Sequence, residues 1–261
     1  MQFIKHIPNT ITSMNLLSGT LGVIFTLQGH IETAFPLMLA AAGFDFCDGL
    51  SARLLNAHSE IGKELDSLAD MVSFGVLPSI MLYKIMCICG TWQFAIYIPL
   101  VLAAFSAIRL AKFNLDERQH GSFIGLATPA AAMICGSLAY YVDITPDSWM
   151  SSLCGTWYFI PVLAILLSAL LVSEIPMFAM KFGKGLEADK TTMILRSSFI
   201  AGIVCIIVGT VVSGANWSLI VMLAFLYYIV LNVVADVVKR RGGKGGFKSG
   251  TKSGMTGVTR N

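Results

Sequence analysis

Four aspartates, Asp45, Asp48, Asp66 and Asp70, fall inside one short block, FDFCDGLSARLLNAHSEIGKELDSLAD, of a chain whose other segments are mostly hydrocarbon. The first two are three residues apart and the second two are four apart, so each pair shares one face of a helix. Gly49, Ala52 and Arg53 continue the first stripe, and Gly62 opens the second one turn before Asp66. Two such helices facing each other converge four carboxylates on one point.

That convergence is costly without a partner. A charge inside a membrane helix costs roughly 3 kcal/mol even on the lenient insertion scale, so four approach about 10 kcal/mol. Like charges a few ångströms apart also repel. One or two divalent cations remove both problems, and an all-oxygen donor set favours Mg²⁺ or Mn²⁺ over zinc. The alternative is a set of helix-end aspartates paired with Arg53 and Lys63.

Composition sets the solvent. The chain is 56% hydrophobic and 13% charged, with a mean hydropathy of +0.75. These values belong to a polytopic membrane protein. A net charge of +3 is too small to argue for nucleic acid. Eight apolar segments, near 11–29, 33–56, 64–89, 92–114, 123–142, 157–180, 194–213 and 217–238, each approach the length needed to cross a bilayer. Short turns such as Gly29-His30 and Gly214-Ala215-Asn216 separate them, and no repeat of fixed period is evident. No small-residue cleavage site follows the first segment, which is read as retained. The predicted fold is therefore an all-α transmembrane bundle of about eight spans.

The basic residues give it a direction. Lys5, Arg53, Lys63, Arg109, Lys112, Arg118, Lys181, Lys184, Lys190, Arg196 and everything from Lys239 onward fall on one side of an eight-span chain. The loops near 29–32, 89–92, 143–156 and 214–216 contain no Lys or Arg, and Lys84 is the one exception. The positive-inside rule then puts both termini, the 57–62 loop and the aspartates at the cytoplasmic face. The basic, Gly-rich tail 239–261 is predicted to be disordered and to anchor the chain at anionic headgroups.

The block reads D-x-x-D-G-x-x-A-R-x8-G-x-x-x-D-x-x-x-D, filled by Asp45, Asp48, Gly49, Ala52, Arg53, Gly62, Asp66 and Asp70. This pattern resembles the signature of the CDP-alcohol phosphotransferases, integral membrane enzymes of phospholipid synthesis. Further stretches are similar to the subgroup that transfers a phosphatidyl group to L-serine, the CDP-diacylglycerol–serine O-phosphatidyltransferases. They are IPNTITSMNLLSG (7–19), RLAKFN (109–114), FIGLATPAAA (123–132) and VSEIPMF (172–178). Two positions depart from the subgroup: Ala127 stands where proline is usual, and Lys112 where arginine is common. A point charge in place of a planar fork is not neutral at a bidentate site.

The resemblance covers about residues 5–185 and implies a division into that catalytic core, two additional helices in 186–238 and the tail 239–261. It implies metal held by Asp45, Asp48, Asp66 and Asp70, with Asp70 also the general base toward the serine hydroxyl. Gly49 and Ala52, lacking bulk, would let the CDP group lie against the second helix, and Arg53, Gly62, Thr12 and Asn15 would join that nucleotide site. Arg109, Lys112 and Asn114 would receive the serine carboxylate. A homodimer is also implied. Plain readings stand beside these: helix packing for Gly49 and Ala52, capping for Thr12 and Asn15, and basic anchoring for Arg109 and Lys112.

The remaining chemistry-bearing residues carry no motif. His6, His30, His58 and His120 sit at loops or interfaces without ligand spacing. The six cysteines, at 47, 87, 89, 135, 154 and 205, are scattered through apolar segments and read as small core residues, with no disulfide framework. Two other functions remain open. One is the same transfer to glycerol 3-phosphate or an inositol phosphate. The other is cation transport, against which stands the confinement of all four acids to one half of the chain.

Overall fold

The computed structural model describes residues 6–55, 57, 59–90, 92–115, 123–177 and 190–244. Lys5, His58, Arg118, His120, Lys181, Lys184 and the tail beyond 244 lie outside the described residues.

The chain is an all-α membrane bundle. Helices α1 (His6–Gln28) and α2 (Ile31–Leu54) form an antiparallel hairpin about the turn at Gly29, whose φ of 94° is open to glycine at little cost. Helix α3 (Glu60–Asp70) runs through a π-helical turn, Met71–Val76, into α4 (Leu77–Ile88). The π turn has a local cause: Pro78 lacks the N–H that would bond to the Phe74 carbonyl, so the ladder shifts register before it. A 3₁₀ segment, Ala95–Leu100, leads into α5 (Val101–Leu115).

Next come α6 (Thr128–Ile144), the short α7 (Trp149–Cys154), α8 (Phe159–Val172), α9 (Lys190–Val212) and α10 (Ser218–Lys244). Two-residue strands β1 (Phe123–Ile124) and β2 (Pro176–Met177) pair antiparallel, with 123 opposite 177.

Five helical stretches are long and apolar enough to cross a bilayer: His6–Gln28, Glu60–Ile88, Ala95–Leu115, Leu195–Val212 and Ser218–Val238. The other three expected positions hold helices too. However, α6 has 17 residues and α8 only 14, while α2 carries Asp45 and Asp48 in its apolar run. Length and composition alone therefore qualify five stretches among the described residues, and the other three expected segments are helices that fall short of that measure.

Three boundaries differ from expectation. Hydropathy predicts the fifth segment to be helical from 123, but α6 begins only at Thr128. Phe123–Ile124 pair as β1, Gly125 turns with a φ of 79°, and the N–H groups of Gly125 and Leu126 donate to Ile175 and Leu170 rather than to a helix. The sixth ends at Val172 instead of 180, where Ser173 turns extended and the VSEIPMF stretch enters β2. The last helix runs on through Lys244, since Lys and Arg are good helix formers and nothing stops it at 239.

A single apolar core joins these elements. It centres on Phe35, Met38, Phe74, Leu77, Met81 and Ile134, all fully or almost fully buried. Helix α1 packs on α2 and on the α3–π turn–α4 rod, α5 on α8, and α6 on α4 and α10. Helix α9 rests mainly on α10, where Tyr227 lies against Gly202. Trp217 stacks on Phe35 at 5.5 Å and ties the last helix pair into the same core.

Helix α1 presents a buried stripe of small and polar residues, Thr12, Asn15, Gly19, Gly22 and Thr26. This stripe sets how closely α1 meets the π turn. A Cβ on Gly19 would stand 2.9 Å from the Ser73 Cα, and one on Gly22 would stand 2.7 Å from Leu77. Only glycine permits that approach.

Candidate active site

The C-terminal turns of α2 and the first turns of α3 meet at one end of the bundle. Ser59 starts α3 by accepting a hydrogen bond from the Gly62 N–H at 3.0 Å. A Cβ on Gly62 would lie 3.0 Å from the Asn9 side-chain oxygen, so a glycine here lets the start of α1 reach α3. Lys63 donates to the Asn114 carbonyl at 3.0 Å, and the Asn114 amide donates to Ser67 at 2.9 Å, tying in the end of α5. The first turn of α1, the α2–α3 junction and the last turn of α5 therefore share one end.

At that end Asp45, Asp48 and Asp66 bring one carboxylate oxygen each to within 4.8 Å of one another. Asp48 Oδ2 and Asp66 Oδ1 are buried and accept no hydrogen bond in the structure. Asp48 is 5% exposed. The reading of these acids as ordinary ion-pair partners of Arg53 and Lys63 fails. Arg53 Nε donates to the Gly49 carbonyl at 2.9 Å and Lys63 donates to Asn114, and among the described residues neither forms an ion pair with the aspartates. Three converging carboxylates, two of them with a buried oxygen that no hydrogen bond satisfies, fit a hard divalent cation.

Asp70 lies one turn deeper in the membrane domain and outside that three-carboxylate group. It is buried, it feels the charges of Asp45, Asp66 and Arg109, and Asn15 Nδ2 donates to its Oδ1 at 3.2 Å. Ser73 in turn donates to the Asn15 main-chain carbonyl at 3.1 Å.

A cavity of about 550 Å³ opens beside the cluster, lined by Thr12, Asp48, Gly49, Ala52, Gly62 and Asp66, with Arg53 and Lys63 at its wall. The Thr12 hydroxyl also reaches the Asp48 carboxylate. Asn15, expected in the nucleotide site, does not line this cavity and is bonded to Asp70 instead. Pro8, Asn9 and Phe113 line it as well. Pro8 and Asn9 lie in the IPNTITSMNLLSG stretch and Phe113 in RLAKFN, so both stretches are visible in the sequence, although the place of these three side chains at the cavity is not.

The three acceptor-pocket residues separate. Arg109 is 9% exposed, donates to Thr128 Oγ1 at 3.3 Å and lies 5.2 Å over the Phe113 ring. Lys112 is exposed, and Asn114 is engaged between α3 and α5. Thr128 lies in the FIGLATPAAA stretch, but its partner Arg109 is not legible there, because the two meet only through packing of α6 on α5.

A family model described as CDP-alcohol phosphatidyltransferase matches residues 5–159, which contain the whole cluster and Arg109. The chain belongs to the CDP-alcohol phosphatidyltransferase family. Within that family it is similar to a Bacillus subtilis protein named CDP-diacylglycerol–serine O-phosphatidyltransferase. The two are 33% identical over 71% of this chain and 98% of that one. A Mycobacterium tuberculosis protein of the same name is 35% identical over 67% of this chain and 61% of its own length. The match thus spans about three-fifths of the mycobacterial relative. An archaetidylserine synthase of Methanothermobacter thermautotrophicus is 29% identical over 63% of this chain and 68% of that protein.

Proposed function

We propose that this chain is an enzyme that transfers the phosphatidyl group of CDP-diacylglycerol to the hydroxyl of L-serine, releasing CMP. The observation that carries the reading is the convergent carboxylate cluster of Asp45, Asp48 and Asp66 beside a cavity walled by Gly49, Ala52 and Gly62. The names of the bacterial relatives supply the serine acceptor. The archaeal relative's name keeps serine while changing the lipid, so the likeness follows the acceptor rather than the lipid chains.

Asp45, Asp48 and Asp66, with Asp70, would hold two divalent cations, Mg²⁺ or Mn²⁺. A cation there supplies positive charge to the pyrophosphate and to the departing CMP. The small residues of α2 make room for the nucleotide along the helix, Arg53 and Lys63 offer it donors, and Thr12, whose hydroxyl donates to the Pro8 carbonyl, lines the wall. Asn15 holds Asp70 Oδ1 as an acceptor, which leaves Oδ2 to take the serine hydroxyl proton. The serine oxygen then bonds to the phosphorus bearing diacylglycerol as the bond to CMP breaks. Arg109, buried beside Asp70, would bind the serine carboxylate; Lys112 and Asn114 would attract it and shape its entry.

The reacting end of the bundle is assigned to the cytoplasmic side, with eight passes and both termini there. The elements that meet at it, 6–9, 53–63 and 113–114, adjoin the basic loops counted for the positive-inside rule. Residues 1–185 form the catalytic core, and the functional unit is a homodimer.

The test is CMP release from CDP-diacylglycerol by membranes containing the chain, with serine, glycerol 3-phosphate and inositol phosphate as separate acceptors. Release only with serine is the expected result. Release with a phosphorylated acceptor and none with serine overturns the assignment.

A further inference from the structure

At the opposite end of the bundle two cysteines meet. Cys89 caps the C-terminus of α4, and Cys154 is the last residue of α7. The Cys89 thiol is hydrogen-bonded with Ser151, and a Cβ built on Gly155 would lie 3.9 Å from the Cys89 Cβ. Ser151, Cys154 and Gly155 are spaced i, i+3 and i+4 along α7 and its C-cap, so they share the face on which Cys89 rests. The two thiols are close enough for the charge of one to act on the other. Disulfides need Cβ atoms about 3.5–4.5 Å apart; Gly155, the residue that follows Cys154, stands at that spacing from Cys89, and both thiols are free in the structure. Cys87 takes no part: it is exposed and its thiol faces Tyr83.

We propose that Cys89 and Cys154 form a disulfide that staples the non-cytoplasmic end of α4 to α7. The compartment rests on the orientation proposed above, which puts the 89–92 and 143–156 loops on the side where disulfides persist. The oxidant is another disulfide, small-molecule or protein. Cys89, partly exposed, gives up its proton and attacks one sulfur of that disulfide, releasing the first thiol. Cys154 then loses its proton, attacks the Cys89 sulfur and releases the second thiol. Two cysteine thiols are oxidised and one disulfide is reduced to two thiols.

The surroundings make this bond structural rather than labile. Burial pushes the Cys154 thiol up to about 12, and burial also raises Cys89, partly offset by its hydrogen bond to Ser151. Burial thus disfavours both thiolates, so the reduced form gains none of the stabilisation that makes catalytic disulfides easy to reduce. The bond would close a long loop holding α5 and α6.

The experiment uses full-length protein in membranes, quenched with acid and alkylated with N-ethylmaleimide before digestion and mass spectrometry. The expected result is a Cys89 peptide joined to a Cys154 peptide, with the other four cysteines alkylated. Cys89→Ser and Cys154→Ser should each leave the remaining partner alkylated, lower the Tm by roughly 5–10 °C and keep serine-dependent CMP release. Alkylation of both cysteines in quenched wild-type membranes overturns the proposal. Labelling of an Asp147→Cys variant by a membrane-impermeant maleimide reads the sidedness separately, and labelling from the cytoplasmic side also overturns it. The CMP-release assay reports the proposed reaction independently of either result.

Discussion

Asn15 on α1 donates its side-chain amide to Asp70 at the end of α3, 3.2 Å away and 55 residues apart in the chain. The Asn15 side chain is fully buried, its own Oδ1 has no partner among the described residues, and its main-chain carbonyl is held by Ser73. A buried polar side chain kept with only part of its capacity satisfied stands where it does for the sake of the group it holds. Here that group is Asp70, so α1 fixes the orientation of a carboxylate that belongs to another helix.

Asn15→Ala should therefore lower kcat and leave the KM for CDP-diacylglycerol nearly unchanged. A hydrogen bond to a charged group is worth roughly 1.5–3 kcal/mol, or about 10–150-fold in rate. Asp70→Asn keeps the bond to Asn15 but removes the base, and should cost about 10²–10⁴-fold. Steady-state kinetics on the two variants check the order. Near-normal turnover by Asp70→Asn would remove Asp70 from the role of base.

Activity should vanish on exhaustive chelation and return with Mg²⁺ or Mn²⁺, because Asp45, Asp48 and Asp66 converge and Asp48 Oδ2 and Asp66 Oδ1 are buried without a hydrogen-bond partner. Asp48→Ala should weaken metal and CDP binding together, read by calorimetry on the purified chain with no turnover involved. Full activity after chelation, or CDP binding that ignores Asp48, contradicts the metal reading.

Gly19→Ala tests the close approach of α1 to the π turn. Its new Cβ would stand 2.9 Å from the Ser73 Cα, a backbone atom that cannot swing aside. Overpacking of this kind costs roughly 1–3 kcal/mol. The Tm should fall, and kcat should fall with it, because Ser73 and Asn15 move together. An unchanged Tm means that α1 has room the structure does not show.

Local spacing carries much of this. The D-x-x-D and D-x-x-x-D stripes are enough to single out Asp45, Asp48 and Asp66, since helical periodicity alone puts such pairs on one face. Gly29, Gly90 and Gly214 mark turns that all adopt positive φ. Contacts between distant segments are not legible in the same way. Asn15 reads as a nucleotide-site residue, because nothing in IPNTITSMNLLSG points to Asp70. Thr128 meets Arg109, and Cys89 meets the Cys154 face, only through tertiary packing. The β1–β2 pair escapes the sequence reading because an apolar run before Pro129 looks helical in hydropathy, whereas its backbone is held by the end of α8 and the segment that follows, to which Leu126 and Gly125 donate.

Arg109 and Lys112 pair in the sequence as acceptor-site cations, and the structure divides them. Arg109 is buried against Phe113, donates to Thr128 and lies within electrostatic reach of Asp70, while Lys112 is exposed. A serine carboxylate beside Asp70 therefore meets Arg109 first. Losing a charged hydrogen bond costs roughly 1.5–3 kcal/mol, so Arg109→Ala should raise the KM for serine by about 10–150-fold. Lys112→Ala should change it by less than about threefold, because an exposed charge is screened by water and salt. Arg109→Lys should recover only part of the loss, since an ammonium cannot reproduce the planar fork. The KM for CDP-diacylglycerol and the Tm supply the control. If both KM values rise together with a lower Tm, Arg109 holds α5 to α6 through Thr128 and the serine carboxylate binds elsewhere.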